Sequence, residues 1–114
     1  MADCIFCQIA HREIDSTVVY EDEHMIAFED IDPKAPVHVL IVQKRHISTI
    51  TDVKENEPEV LQQLLVVAKN VAALKNIEYS GFRVVLNCNP DGGQTVYHLH
   101  AHLLGGRKMN WPPG

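Results

Sequence analysis

The sequence predicts an α+β fold, an antiparallel sheet of about five strands packed against one long helix. Three observations carry that prediction. Five short apolar or alternating segments read as strands, one stretch between the third and fourth has the 3.6-residue apolar period of a helix, and the connections are short and dense in turn formers. At 114 residues the chain fits a single domain over 1–114, and a domain of that size buries roughly 65% of the surface its unfolded chain exposes.

The elements follow in order. Val18-Val19-Tyr20-Glu21 and Met25-Ile26-Ala27-Phe28, separated by a polar connection, read as a β-hairpin. Asp32-Pro33-Lys34-Ala35-Pro36 is a stiff loop, because each proline fixes its own φ and restricts the residue before it. His38 to Val42 resumes as a mostly apolar strand. From about Glu57 to Ile77, Leu61, Leu64, Leu65, Ala68, Val71, Ala72 and Leu74 recur at helical steps, with Asn56 as expected N-cap and Glu59 as the capping-box acid. Their stripe is expected to be core. Phe82 to Cys88 and Tyr97 to Leu104 are the last two strands, joined through the turn-rich Asn89-Pro90-Asp91-Gly92-Gly93.

A hydrophobic fraction of 46% and a charged fraction of 22% exclude a disordered, collagen-like or coiled-coil chain. The net charge, 10 minus 15 or −5, argues against a broad electrostatic grip on nucleic acid or an acidic membrane, so neither is expected as a partner. Any bound anion must meet a local site. Met1-Ala2-Asp3-Cys4 has no basic segment leading an apolar run, and no stretch approaches the roughly 20 apolar residues of a bilayer span. Three cysteines, two of them spaced as Cys4 and Cys7, suit a reducing compartment, and a cytoplasmic location is expected.

The segment His98-Leu99-His100-Ala101-His102-Leu103-Leu104 alternates in polarity. In a strand this turns three imidazoles to one face and Leu99, Ala101 and Leu103 to the core, with neighbouring histidines about 7 Å apart at Cα. Imidazole serves as nucleophile, acid, base or metal ligand. Two neighbours could share one metal, whereas the outer pair is too far apart for all three to do so in a straight strand. The turn Asp91-Gly92-Gly93-Gln94-Thr95 lies just before them; its glycines let an anion approach the main chain, and Gln94 and Thr95 carry donors. Cys4-Ile5-Phe6-Cys7 has zinc-type spacing but supplies only half a site, so the residues alone leave two free thiols as the alternative.

The run HLHAHLL is similar to the signature of the histidine triad (HIT) superfamily. Cys4-Ile5-Phe6, Tyr20-Glu21-Asp22, Ala27-Phe28, Pro33-Lys34-Ala35-Pro36, Lys44-Arg45-His46-Ile47, Asp91-Gly92-Gly93-Gln94 and the closing Trp111-Pro112-Pro113-Gly114 extend the likeness over nearly the whole chain. They resemble the Hint branch, the histidine triad nucleotide-binding proteins. The resemblance implies a fold with one long and one short helix, dimerising so that the two sheets become continuous.

It also implies an activity, hydrolysis of the P–N bond of purine nucleoside phosphoramidates through a nucleotidyl-histidine. His100 would be the nucleophile, His102 would sit beside the phosphate or leaving group, and His98 and His38 would orient them. Asp30 would hold the ribose hydroxyls, and Ile5, Phe6, Ile9, Ile14, Phe28 and Ile31 would wall the purine. Asn87, Gly93, Gln94 and Thr95 would meet the phosphate; Thr95 stands where the branch carries Ser. Trp111 would reach the partner subunit's site. No cofactor is implied for catalysis, but some relatives complete the cysteine pair with residues corresponding to His46 and His98 to hold a structural zinc.

Three rivals stay open: a dinucleoside polyphosphate hydrolase, a metal-dependent enzyme, and a nucleotide-binding interaction module without turnover. The metal-dependent enzyme lacks an Asp or Glu between the histidines to act as its base.

Overall fold

A computed structural model describes residues 4–114; Met1–Asp3, which belong to the N-terminal reading above, lie outside the described residues. The order is α1 (Ile5–Ala10), β1 (Val18–Glu21), β2 (Met25–Glu29), β3 (Val37–Gln43), a 3₁₀ turn at Ile50–Asp52, α2 (Glu59–Leu74), β4 (Phe82–Val85), α3 (Asn89–Gly92) and β5 (His100–Gly105). The five strands form one antiparallel sheet in the order β1-β2-β3-β5-β4. No helix among the described residues is long and apolar enough to cross a membrane.

Alternation along the strands divides the core between two faces. Met25, Ala27, Val39, Ile41, Ala101 and Leu103 point to the α2 face, where they pack on Val60, Leu64, Val67, Ala68 and Val71. Ile26, Phe28, Leu40 and Val42 point the other way and pack on Phe6, Ile9 and Ala10 of α1. Each fully buried large side chain of this kind contributes roughly 1.5–3 kcal/mol. The register pairs Leu40 with His102 and Val42 with His100, so the histidines share the α1 face with the smaller cluster.

Four expected boundaries move. The long helix starts at Glu59, with Pro58 rather than Asn56 at its N-cap and no side-chain cap. Glu57 is spent elsewhere, on the Lys54 N–H at 3.1 Å and on Arg45 at 2.8 Å. It ends at Leu74, where Asn76 takes a left-handed φ of 59° and the Ile77 N–H closes on the Ala72 carbonyl. The fourth strand stops at Val85, its last pairing with β5. The fifth begins at His100 because the Leu99 N–H bonds to the Ile47 carbonyl at 2.6 Å instead of joining the ladder. The short helix α1 comes from a local signal: Phe6, Ile9 and Ala10, one helical turn apart, are all buried.

Candidate active site

Outside β5, His98 is fully buried. Its Nε2–H donates to the Gln43 carbonyl at 2.5 Å, which leaves Nδ1 with a free lone pair. That nitrogen lies 3.3 Å from Cys4 Sγ, 3.5 Å from Cys7 Sγ and 3.2 Å from His46 Nδ1, while Cys7 Sγ is 3.3 Å from His46 Nδ1. All four ligand atoms fall within 4.8 Å of one another. Zinc bonds of about 2.0–2.1 Å to nitrogen and 2.3 Å to sulfur place tetrahedral ligand atoms about 3.3–3.8 Å apart. The donor set and spacing fit that ion. Burial, reinforced by the hydrogen bond to Cys4, pushes the Cys7 thiol up, a direction that a bound cation opposes. Cys4 also caps α1 by accepting the Cys7 N–H at 3.4 Å, so the same two residues start the helix and build the cluster. Cys88 stands apart and half-buried.

Two residues on, His100 donates Nδ1–H to the His98 carbonyl at 2.7 Å, so its Nε2 carries the lone pair. The ring is almost fully buried and meets the edge of Phe6 with centroids 5.0 Å apart. Burial holds its pKa below the usual imidazole range, so the ring is neutral at neutral pH. His102 follows at a centroid distance of 5.0 Å from His100; burial and the neighbouring rings of His100 and His38 lower it to about 4. His38 Nε2 is 3.0 Å from His102 Nδ1 and 3.4 Å from Asp30 Oδ2, and its Nδ1 accepts the Lys34 N–H at 3.0 Å. Desolvation lowers His38 as well, against the pull of Asp30.

His100, His102 and Asp30 open onto a cavity of about 290 Å³ with an apolar wall that includes Ile5, Phe6, Ile9, Ile14, Phe28, Ile31 and Leu40, and with Asp15, Ser16, Glu29 and Thr95 as its other polar residues. These apolar side chains converge on one cavity, and Ile31 is 99% exposed at its mouth. Asn87 lies across His102, in a second cavity of about 310 Å³ with Asp30, Asp32, Lys34 and His38. Trp111 is 83% exposed and lines neither cavity.

The glycine turn departs from expectation in its donors. Gly93 sits at a left-handed φ of 83° and closes α3, its N–H bonding to the Pro90 carbonyl while the Gln94 N–H goes to the Asn89 carbonyl. The Gln94 amide is also committed: it is buried, donates to the Ser48 and Val96 carbonyls at 2.8 and 3.0 Å, and accepts the Asn89 N–H at 2.9 Å. Gln94 thus staples three loops together and does not point a donor at an anion. Exposed Thr95, at the junction of the main cavity with a cleft beside Cys4 and His46, remains the accessible donor of this turn.

The HIT domain family matches residues 11–109, which include the histidine run and Asp30. The chain belongs to the HIT family. Within it this HIT protein lies in the Hint-like branch, being 53% identical over 112 residues to the 14 kDa zinc-binding protein of Zea mays, with 96% of this chain and 87% of that one covered. It is 46% identical over 112 residues to the adenylylsulfatase HINT1 of Arabidopsis thaliana, covering 96% and 76%. A HIT family hydrolase from Legionella pneumophila Philadelphia 1 has the same fold, with a TM-score of 0.95 at 52% identity over 98% of this chain and 100% of that one.

Two contributors escaped the sequence reading, the carbonyl of Gln43 and the peptide N–H of Lys34. Both are backbone groups, and no side-chain pattern marks them. The pairing of His38 with Asp30 and His102 likewise depends on a register that only the folded sheet reveals.

Proposed function

We propose that this HIT protein is a purine nucleoside phosphoramidase that cleaves the P–N bond of AMP-amine substrates. The observation carrying the reading is His100: its Nδ1–H is held by the His98 carbonyl, which leaves a neutral Nε2 beside an apolar cavity with a carboxylate at its rim. Ile5, Phe6, Phe28 and Ile31 take the purine, and Asp30 accepts from the ribose hydroxyls. His100 Nε2 bonds to the α-phosphorus while the P–N bond breaks; the amine leaves with the bonding pair and takes a proton from water. The ring becomes cationic as it forms the new bond, and the Nδ1–H···O=C hydrogen bond, together with the field of Asp30, favours that charge. Water then attacks phosphorus, releasing the nucleotide and restoring the imidazole. Thr95, Asn87 and His102 meet phosphoryl oxygens.

The same reading gives Cys4, Cys7, His46 and His98 a structural zinc, which when bound pins α1 to the sheet; its support is the donor set and the zinc-binding name of the Zea mays relative. It also includes a homodimer in the cytoplasm. The dimer is supported by exposed Leu65 and Leu74 on α2, by Phe82 on the edge strand β4 and by Trp111, which a single chain leaves in solvent.

A second reading comes from the Arabidopsis relative, in which the leaving group would be sulfate. The deciding assay offers the protein an adenosine phosphoramidate carrying a fluorescent amine, adenylyl sulfate and a dinucleoside polyphosphate, each against His100→Ala. Phosphoramidate turnover that falls on the order of 10⁴-fold or more in the variant is the expected result. Preference for either other substrate would reassign the leaving group, and AMP binding without any turnover would make the chain an interaction module.

A further inference from the structure

We propose that the peptide N–H of Lys34 is a positioning group: it fixes the tautomer of His38 and, through it, holds His102 as an N–H donor at Nε2. Lys34 precedes β3 in the Asp32-Pro33-Lys34-Ala35-Pro36 loop, and its N–H meets His38 Nδ1 at 3.0 Å. A backbone amide can only donate, so Nδ1 must accept and the single proton of neutral His38 resides on Nε2. That Nε2–H faces His102 Nδ1 at 3.0 Å and Asp30 Oδ2 at 3.4 Å, both acceptors. A proton on His102 Nδ1 would oppose two N–H groups at 3.0 Å. His102 Nδ1 is therefore the acceptor, and its own proton is at Nε2.

Two consequences follow. His102 is excluded as a general base at Nε2 and becomes a standing donor beside the phosphoryl group, leaving nucleophilic work to His100, whose Nε2 is bare. Asp30, His38 and His102 also bring three ligand atoms within 4.8 Å of one another, as a metal trio would. Coordination through His38 Nε2 would require the proton on Nδ1, where the Lys34 N–H would clash with it. The loop thus keeps this trio as a hydrogen-bond chain, in contrast to the cluster at His98, where the Gln43 carbonyl takes the proton on Nε2 and frees Nδ1.

What His102 donates to depends on the phosphoramidase reading, but the tautomers do not, and the experiment separates them. In the wild-type protein with imidazole-¹⁵N label, His38 is expected to show a bare Nδ1 coupled across the hydrogen bond to the Lys34 amide, and His102 a protonated Nε2. A protonated Nδ1 on either ring overturns the proposal whatever the activity. Lys34→Pro deletes the N–H and is expected to blur both tautomer signatures, whereas Lys34→Ala keeps the N–H and should keep them. In the proline variant kcat is expected to fall about tenfold or more with KM changed less than about twofold; a loss confined to KM would count against the inference. Should Lys34→Pro fail to fold, the wild-type spectra decide. Should the wild type show these tautomers yet turn over no phosphoramidate, the functional reading falls and the tautomer assignment stands.

Discussion

His98 is fully buried and turns its free nitrogen to two thiols and a second imidazole; His102, four residues on and on the same face, borders two cavities and turns its Nδ1 to His38. The backbone partner differs at each end. A carbonyl from Gln43 holds the His98 proton at Nε2 and frees Nδ1 for a ligand role, whereas an amide from Lys34 reaches His102 through His38, leaves the proton on the same nitrogen and ties Nδ1 into a hydrogen bond. Between them His100 uses a carbonyl again, at Nδ1, and so presents the opposite nitrogen to His98. Three identical residues in alternate positions thus acquire different chemistry from the groups that take their other nitrogens.

The contrast breaks most strongly at the closed end. Replacing both Cys4 and Cys7 by Ser removes half the cluster and the cap of α1, so bound zinc should fall from one ion per chain to none, with a stability loss on the order of 3 kcal/mol or more. Metal analysis and urea unfolding would measure both; an unchanged midpoint would mean that α1 holds to the sheet without the cluster. Next comes Phe6→Ala. Its ring touches Phe28, His98 and His100, and burial places it in the smaller core, so about 3–5 kcal/mol is expected from lost packing, with weaker nucleotide binding from the opened cavity wall. If only stability changed, the ring would be core and not wall.

Acid sharpens the difference at the open end. His38 and His102 have folded pKa values below the ordinary 6.5, His102 at about 4. Below pH 6.5 the unfolded chain takes up protons that the folded chain refuses, so stability falls as pH drops from 6.5 toward about 4 and levels off below that. Urea midpoints measured from about pH 7 to about pH 5 should decline, and His102→Asn should flatten part of the slope. An identical slope in the variant would place the responsible groups elsewhere.

Much of this was legible in the sequence. The alternation of HLHAHLL put Leu99, Ala101 and Leu103 in the core with the histidines opposite, as the sheet bears out. The apolar residues of α1, Phe28 and Leu40 converge on one cavity because alternation and helical spacing are local rules. Gln94 was misread because a polar residue in a glycine turn suggests a free donor, whereas the fold uses that amide to bind three carbonyl and N–H groups of neighbouring loops. Asn56 lies too far back for a related reason: capping depends on where the chain turns, and with Pro58 at the N-cap the Val60 N–H goes to the Glu57 carbonyl at 3.2 Å and not to a side chain.

The smallest expected effect tests whether the closed end needs its side chains or its backbone. Gln43 ends β3 opposite Met25 and is 5% exposed, and its Oε1 is buried with no partner among the described residues. Leaving such an acceptor unpaired costs roughly 1–3 kcal/mol. Gln43→Met keeps the length of the side chain and removes that oxygen, so stability should rise by about 1 kcal/mol, seen as a melting midpoint about 4 °C higher or more. The backbone carbonyl that orients His98 survives the change, and zinc stoichiometry should therefore stay constant. A drop in stability would show that Oε1 is hydrogen-bonded in solution; a loss of metal at unchanged stability would show that the side chain itself, beyond its carbonyl, holds His98 in place.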